Sequence, residues 1–131
     1  MTETSDREPQ TDVDGAPFWA GLARREIVVQ ECDGCSAPRF PPMPSCPECG
    51  ATGSGAKVLT GAGTVYSKVQ VNRAFTPERA QDVPYTIATV DLDGGVRMFG
   101  RVDVEARIGD PVRASFHDHD GWTELRFEVV R

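Results

Sequence analysis

Cys32-Asp33-Gly34-Cys35 and Cys46-Pro47-Glu48-Cys49 form two C-x-x-C knuckles ten residues apart, and together they hold every cysteine in the chain. Four thiolates can surround one zinc ion tetrahedrally at about 2.3 Å. One tight C-x-x-C turn supplies two of them, so two knuckles complete the set. Gly34 lies inside the first knuckle and Gly50 follows the second. Both positions are expected to use positive φ, which glycine adopts without steric cost. The interval between the pairs is shorter than the usual spacing of about 15–20 residues, so the connecting hairpin must be compact. Two other chemistries compete. Disulfides need an oxidising compartment, and the sequence begins with no apolar signal run. A redox C-x-x-C stands as one pair beside a βαβ pattern, and neither condition holds. Four protein ligands leave the metal no open position, so the expected zinc holds the fold and does no chemistry.

A catalytic set is harder to find. With the cysteines committed to metal, no thiol nucleophile remains. His117 and His119 are the only histidines, in His117-Asp118-His119-Asp120-Gly121. On a strand they share one face, as a second metal site would need. With no third ligand nearby, a polar strand end running into an Asp-Gly turn is the simpler reading. No glycine-rich run has phosphate-cradle spacing.

Arg97-x-Phe99-x-Arg101 is the other pattern with chemical content. Period-2 geometry places two guanidiniums around one aromatic ring on a single strand face. That arrangement suits a flat base with phosphates: the adenosine 3′-phosphate end of coenzyme A, or single-stranded nucleic acid. An exposed strand whose charges discourage edge association gives the same pattern.

Composition weighs against nucleic acid. The 131-residue chain carries a formal charge of −6, whereas nucleic-acid modules are usually basic. Residues 1–15 hold Glu3, Asp6, Glu8, Asp12 and Asp14 against Arg7 alone, so this segment supplies −4 of the −6. It lacks periodicity and reads as a disordered acidic tail. No run is long and apolar enough to span a membrane. Reduced thiols and no targeting segment lead to a cytoplasmic expectation.

These residues need elements to position them. Asp14 or Gly15 can cap a short helix over 16–26, with Pro17 in its first turn. Phe18, Trp19, Leu22 and Ala23 form one stripe. So short a helix cannot stand alone in water. Its face must dock on its own domain or on a partner, which makes Phe18, Trp19 and Leu22 candidates for partner docking. Ile27–Glu31 reads as a strand entering a zinc ribbon over 27–56. Prolines in Phe40-Pro41-Pro42-Met43-Pro44 exclude a helix or central strand there. Ala51–Ala56 is a Gly/Ser-rich joint and the expected internal boundary.

From 57 onward strand follows strand. Thr64–Arg73 alternates, with Val65, Val69 and Val71 on one face. Tyr85–Asp93 and Val96–Asp103 form a hairpin closed by Asp93-Gly94-Gly95. In the latter strand Val96, Met98 and Val102 point one way, and Arg97, Phe99 and Arg101 the other. Val112–His117 and Trp122–Val130 follow, with Val112, Ala114, Phe116, Leu125, Phe127 and Val129 inward. Residues 74–84 form one long excursion. Five short strands with tight turns fit an OB-type barrel over 57–131. The expected fold is therefore mainly β: a short N-terminal helix, a rubredoxin-like zinc ribbon and a five-stranded OB-fold barrel.

The order of these motifs resembles the acyl-CoA-associated OB-fold zinc-ribbon family. The resemblance runs from Pro17-Phe18-Trp19 through the two knuckles and Arg39-Phe40-Pro41-Pro42. It continues in Gly61-x-Gly63-Thr64-Val65-Tyr66-Ser67, Pro84-Tyr85 and Ile108-Gly109-x-Pro111-Val112. The acidic tail lies outside it. Members of that family typically lack a complete active site. They serve as accessory subunits of thiolase-like enzymes, including thiolases, steroid side-chain aldolases and acyltransferases, or pair with hotdog-fold enoyl-CoA hydratases. The resemblance implies structural zinc, a catalytic partner of one of these kinds, and help in holding acyl-CoA in lipid or steroid side-chain metabolism. It does not make Arg97, Phe99 and Arg101 a known CoA site. That assignment rests on strand geometry. The rival expectation is a stand-alone single-stranded nucleic-acid-binding module.

Overall fold

The computed structural model describes residues 8–130. The first seven residues of the expected acidic tail lie outside the described residues. Over 8–15 the chain forms no helix or strand, but Asp12 organises the start of a helix. Its Oδ1 accepts a 2.7 Å bond from the Gly15 amide, and its carbonyl accepts from Ala16. Helix α1 then runs over Ala16–Ala23 with Pro17 in its first turn. It ends at Ala23, short of the expected 26. Arg25 adopts φ of 66°, and the Glu26 amide turns back to the Gly21 carbonyl at 2.8 Å.

The helix docks within its own chain. Phe18 and Leu22 are buried, Leu22 completely, and Trp19 is half-buried. Phe18 packs on Trp19 and Phe40, and Trp19 meets the edge of Trp122 at 6.1 Å. In this chain Phe18 and Leu22 are thus packed into its own core. Gly21 makes the close approach feasible, since a Cβ there would lie 2.6 Å from Val28 Cγ2.

Strand β1 (Ile27–Cys32) is the centre of a three-stranded antiparallel sheet with β2 (Pro38–Arg39) and β3 (Ser54–Leu59). The Gly/Ser-rich joint expected over 51–56 is in part a strand. Ser54, Gly55 and Ala56 pair with Cys32, Glu31 and Gln30, and the ladder continues to Leu59 opposite Ile27. Backbone pairing holds this stretch although its side chains are exposed and show no alternation. The ribbon sheet therefore extends past residue 57.

The barrel begins at β4 (Ala62–Val71) and continues through β5 (Tyr85–Leu92), β6 (Val96–Val102), β7 (Pro111–His119) and β8 (Trp122–Val129). It closes in the order β4-β5-β6-β8-β7, with β8 parallel to β6 and antiparallel to β7. This is the five-stranded OB barrel. A bulge between Val65 and Ser67 shifts the register of β4 against β5. Val69, expected on the same face as Val65, is consequently 60% exposed and lies opposite Ile87. The excursion over 74–84 carries only a 3₁₀ turn, Pro77–Arg79. Among the described residues no helix is long and apolar enough to cross a membrane.

One core joins all three parts. Phe18 and Leu22 from α1 and Ile27, Val29 and Leu59 from the ribbon sheet belong to the same buried cluster as Val65, Val90, Met98 and Phe127 of the barrel.

The helix end is also tied to β7 electrostatically. Arg25 donates from Nη1 and Nη2 to the two carboxylate oxygens of Asp118 at 2.9 and 2.8 Å, and Thr123 adds a 2.8 Å bond. The Arg25 bonds, aided by Thr123, bring the Asp118 carboxyl down to about 2. Its folded value lies below the unfolded one, so the contribution is complete above about pH 3.9 and fades as pH falls towards 2. The urea-midpoint difference between wild type and Arg25→Ala should be small, as for exposed pairs. It should stay constant from neutral pH to about 4 and vanish below that. A difference that grows on acidification contradicts this role.

Candidate functional site

The two knuckles have the same backbone. In the first, the Ser36 amide bonds the Cys32 carbonyl at 3.0 Å, and the Cys32 amide bonds the Ala37 carbonyl at 2.9 Å. In the second, Gly50 bonds Cys46 at 2.9 Å, and Cys46 bonds Ala51 at 2.8 Å. Gly34 and Glu48 amides donate to the Cys32 and Cys46 sulfurs, each at 3.3 Å. The turn is closed at positive φ by the residue after each second cysteine: Ser36 at 65° and Gly50 at 80°. Gly34, expected in that role, has no positive φ. Glycine suits it because a Cβ would lie 3.3 Å from Cys49 Sγ and 3.2 Å from Ala51 Cβ.

All four sulfurs lie within 4.8 Å of one another. Cys32–Cys49 are 3.5 Å apart and Cys35–Cys46 3.7 Å. A tetrahedron with metal–sulfur bonds of about 2.3 Å has edges of about 3.8 Å, so the cluster fits zinc. The sulfurs are too far apart for disulfides, whose bond is about 2.05 Å. Cys32 is brought down to about 6 by the Cys35 amide, against burial and with help from the Gly34 amide and Cys49. The Cys49 amide likewise lowers Cys46. Cys35 moves the other way, to about 12: the Ala37 amide opposes the shift, but burial and the three neighbouring sulfurs outweigh it. Crowded thiols share protons in this way, and a divalent cation would displace them.

Arg39 sits against this cluster and is 1% exposed. Its Nη2 donates to the carbonyls of Ala51 and Gly53, each at 3.0 Å. Its Nε and Nη1 are buried without a hydrogen-bond partner. Burial would lower its pKa, yet the pull of Cys32 and Cys46 raises it. The sequence signal for this residue was a cation two positions ahead of the prolines, which the motif Arg39-Phe40-Pro41-Pro42 contains but does not explain.

The arginine face divides. Arg97, Phe99 and Arg101 alternate outward from β6 as the period requires, and Val96, Met98 and Val102 are buried. Arg97 bonds Asp91, and its guanidinium stacks 3.6 Å from the Tyr66 ring centroid. It does not line the groove that begins at Phe99. That groove, about 490 Å³, is lined among others by Arg73, Phe75, Arg79, Tyr85, Phe99 and Arg101. Phe75 and Phe99 are 85% and 72% exposed. Arg101 stacks 4.1 Å from the Tyr85 centroid, and Asp82 pairs with both Arg101 and Arg79 at 3.4 and 3.6 Å. Arg73, Phe75 and Arg79 were not singled out from the sequence. They are two arginines and a phenylalanine at the start of the long excursion, with no periodic pattern to mark them.

The two histidines are engaged separately. His117 Nε2 lies 3.2 Å from Ser115 Oγ. His119 Nε2 lies 2.7 Å from Glu124 Oε1 and its ring stacks on Trp122. Arg126 also bonds Glu124, at 2.9 Å. Burial would raise the Glu124 carboxyl, but Arg126 and His119 hold it below its usual value. Among the described residues only the four cysteines bring three or more metal-type ligand atoms together.

Two family models match the chain. Residues 19–54 match the family model of the ChsH2 rubredoxin-like zinc ribbon domain, and residues 56–117 that of the ChsH2 C-terminal OB-fold domain. A probable enoyl-CoA hydratase alpha subunit of Thermomonospora curvata is 32% identical over 94% of the chain. The 3-oxo-4,17-pregnadiene-20-carboxyl-CoA hydratase alpha subunit of Mycobacterium tuberculosis is 34% identical over 92% of it. The chain spans 39% of the length of each of these relatives. Among solved structures, a chain of an Ltp2-ChsH2(DUF35) aldolase superposes with a TM-score of 0.83 at 29% identity, over 93% of this chain and 98% of that one. A DUF35-family protein of unknown function from Sulfolobus solfataricus shares the fold, with a TM-score of 0.65 at 18% identity, over 92% of this chain and 87% of that one.

Proposed function

The chain belongs to the OB-fold zinc-ribbon family whose two ChsH2 domains it carries in succession, and from that premise we propose that it is a non-catalytic accessory subunit of an acyl-CoA enzyme in steroid side-chain metabolism. Its partner is a thiolase-like aldolase subunit or a hotdog-fold hydratase. The observation that carries this reading is the likeness to the Ltp2-ChsH2(DUF35) aldolase chain, which this chain matches over almost its whole length. Zinc at Cys32, Cys35, Cys46 and Cys49 is structural here and supplies a rigid ribbon. Purification of the native complex, with partner identification by mass spectrometry, tests the reading. A thiolase-like or hotdog-fold hydratase subunit is expected. Recovery of the chain alone, with tight salt-sensitive binding to single-stranded nucleic acid, overturns it in favour of a nucleic-acid module.

The ligand role falls to the groove between β6 and the 74–84 excursion. Phe75 and Phe99 offer two uncovered rings for a flat base, and Arg73, Arg79 and Arg101 offer donors for phosphate. Asp82 holds Arg79 and Arg101 in the free chain, and an incoming phosphate takes its place. Charge-assisted bonds sealed from water are worth about 1.5–3 kcal/mol each. In the assembled enzyme, Arg73→Ala with Arg101→Ala should raise KM for acyl-CoA by about tenfold or more. It should leave KM for a substrate truncated to the pantetheine arm unchanged. Arg97→Ala, outside the groove, should change neither. An unchanged KM for full-length CoA substrate in an intact double-variant complex removes the ligand role and leaves a scaffold.

A further inference from the structure

Among the described residues Arg39 is the only buried lysine, arginine, aspartate or glutamate side chain, and no carboxylate answers its charge. Two of its three nitrogens have no hydrogen-bond partner. An unpaired guanidinium in a low-dielectric interior is costly, so its retention there requires a compensating charge. Four thiolates around a divalent zinc carry a net double negative charge. The cluster that would bear it lies beside Arg39 and includes one buried sulfur from each knuckle, Cys32 and Cys46. Neither sulfur accepts a well-formed hydrogen bond from Arg39, so the attraction acts through space.

The third nitrogen fixes the geometry. Nη2 bonds the Ala51 carbonyl, which also accepts from the Cys46 amide, and the Gly53 carbonyl, which also accepts from the Asp33 amide. This single nitrogen therefore grips both knuckles through carbonyls they already use, and holds the charge between them. We propose that Arg39 is the internal counter-charge of the metal–tetrathiolate centre, a positioning residue that makes the buried double negative charge tolerable and sets the electron richness of the sulfurs. The proposal is independent of the partner and of the groove.

The test uses the full chain with Arg39→Met, which keeps the volume of the stem and removes the charge, and Arg39→Lys, which keeps the charge and removes the planar guanidinium. Zinc affinity is read by competition with a chromophoric chelator. The thiolate-to-metal charge-transfer band is read after cobalt(II) substitution. Outer-shell partners of metal ligands typically contribute 10–100-fold in affinity. Arg39→Met should bind zinc at least about tenfold more weakly and shift the cobalt band to lower energy, since sulfurs without a nearby cation give up electron density more readily. Arg39→Lys should stay within about threefold of wild type with the band in place. If Arg39→Met binds as wild type does, or if both variants weaken alike with an unshifted band, Arg39 is only a hydrogen-bonding strut and the proposal fails. Should Arg39→Met not fold, the lysine variant alone decides: near-native affinity and band support a charge role, and their loss overturns it.

Discussion

In Cys46→Ser, zinc should fall from one equivalent per chain to none, and the fold should lose the ribbon and undock the helix. Cys46 is one of the two buried sulfurs, and its amide and sulfur both take part in the second knuckle. Structural zinc contributes on the order of 10–16 kcal/mol of apparent binding energy. The whole net stability of a domain is only about 5–15 kcal/mol, so the ribbon cannot hold without its metal. The loss travels further because Ile27, Val29 and Leu59 share a core with the barrel. Trp19 and Trp122 meet where α1 rests on β8, which gives a built-in optical reporter. Chelation of the wild type should redden tryptophan emission along with the loss of metal. Wild-type protein that carries no zinc, or a serine variant that keeps a full equivalent, would count against the site.

The second large effect is expected from Leu22→Ala. Leu22 is fully buried in the common core. Truncating a buried leucine costs about 2–5 kcal/mol, which should lower the thermal midpoint of the isolated chain by more than about 5 °C. A helix face reserved for a partner would behave otherwise: the isolated chain would melt as wild type does and only assembly would weaken. That outcome would return Leu22 to the role of a docking residue.

The legible parts of the fold were those whose side chains repeat. Val96–Val102 alternates without interruption, and its two faces were read correctly from spacing alone. The knuckles were legible because four cysteines in two pairs permit few geometries. Ser54–Ala56 were not, since a strand with exposed Ser, Gly and Ala carries no periodic signal and exists through its ladder to β1. Val69 misled for a different reason: one extra residue at the bulge reverses every side chain after it. The helix stripe was visible, but its destination was not, because Phe40 and Trp122, the rings it meets, are distant in sequence. At the candidate site, Phe99 and Arg101 were visible on their own strand. Arg73, Phe75 and Arg79 reach the same groove only through the path of the excursion, which no local pattern encodes.

The strand order has a consequence during synthesis. Because β8 lies between β6 and β7, and β7 also seals against β4, the barrel closes only with the last hairpin. A nascent chain that has emerged only as far as Val102 can pair β4, β5 and β6, yet it leaves both outer strands of that sheet with unsatisfied backbone groups. Such open edges invite pairing with other chains. The ribbon, by contrast, is complete by Leu59 and can take up its metal while the rest is still being made. A ribosome that stalls between these two points therefore holds a finished metal-bound head on an adhesive half-barrel, and shortening the chain by its final strand should yield aggregates, with no smaller barrel among them.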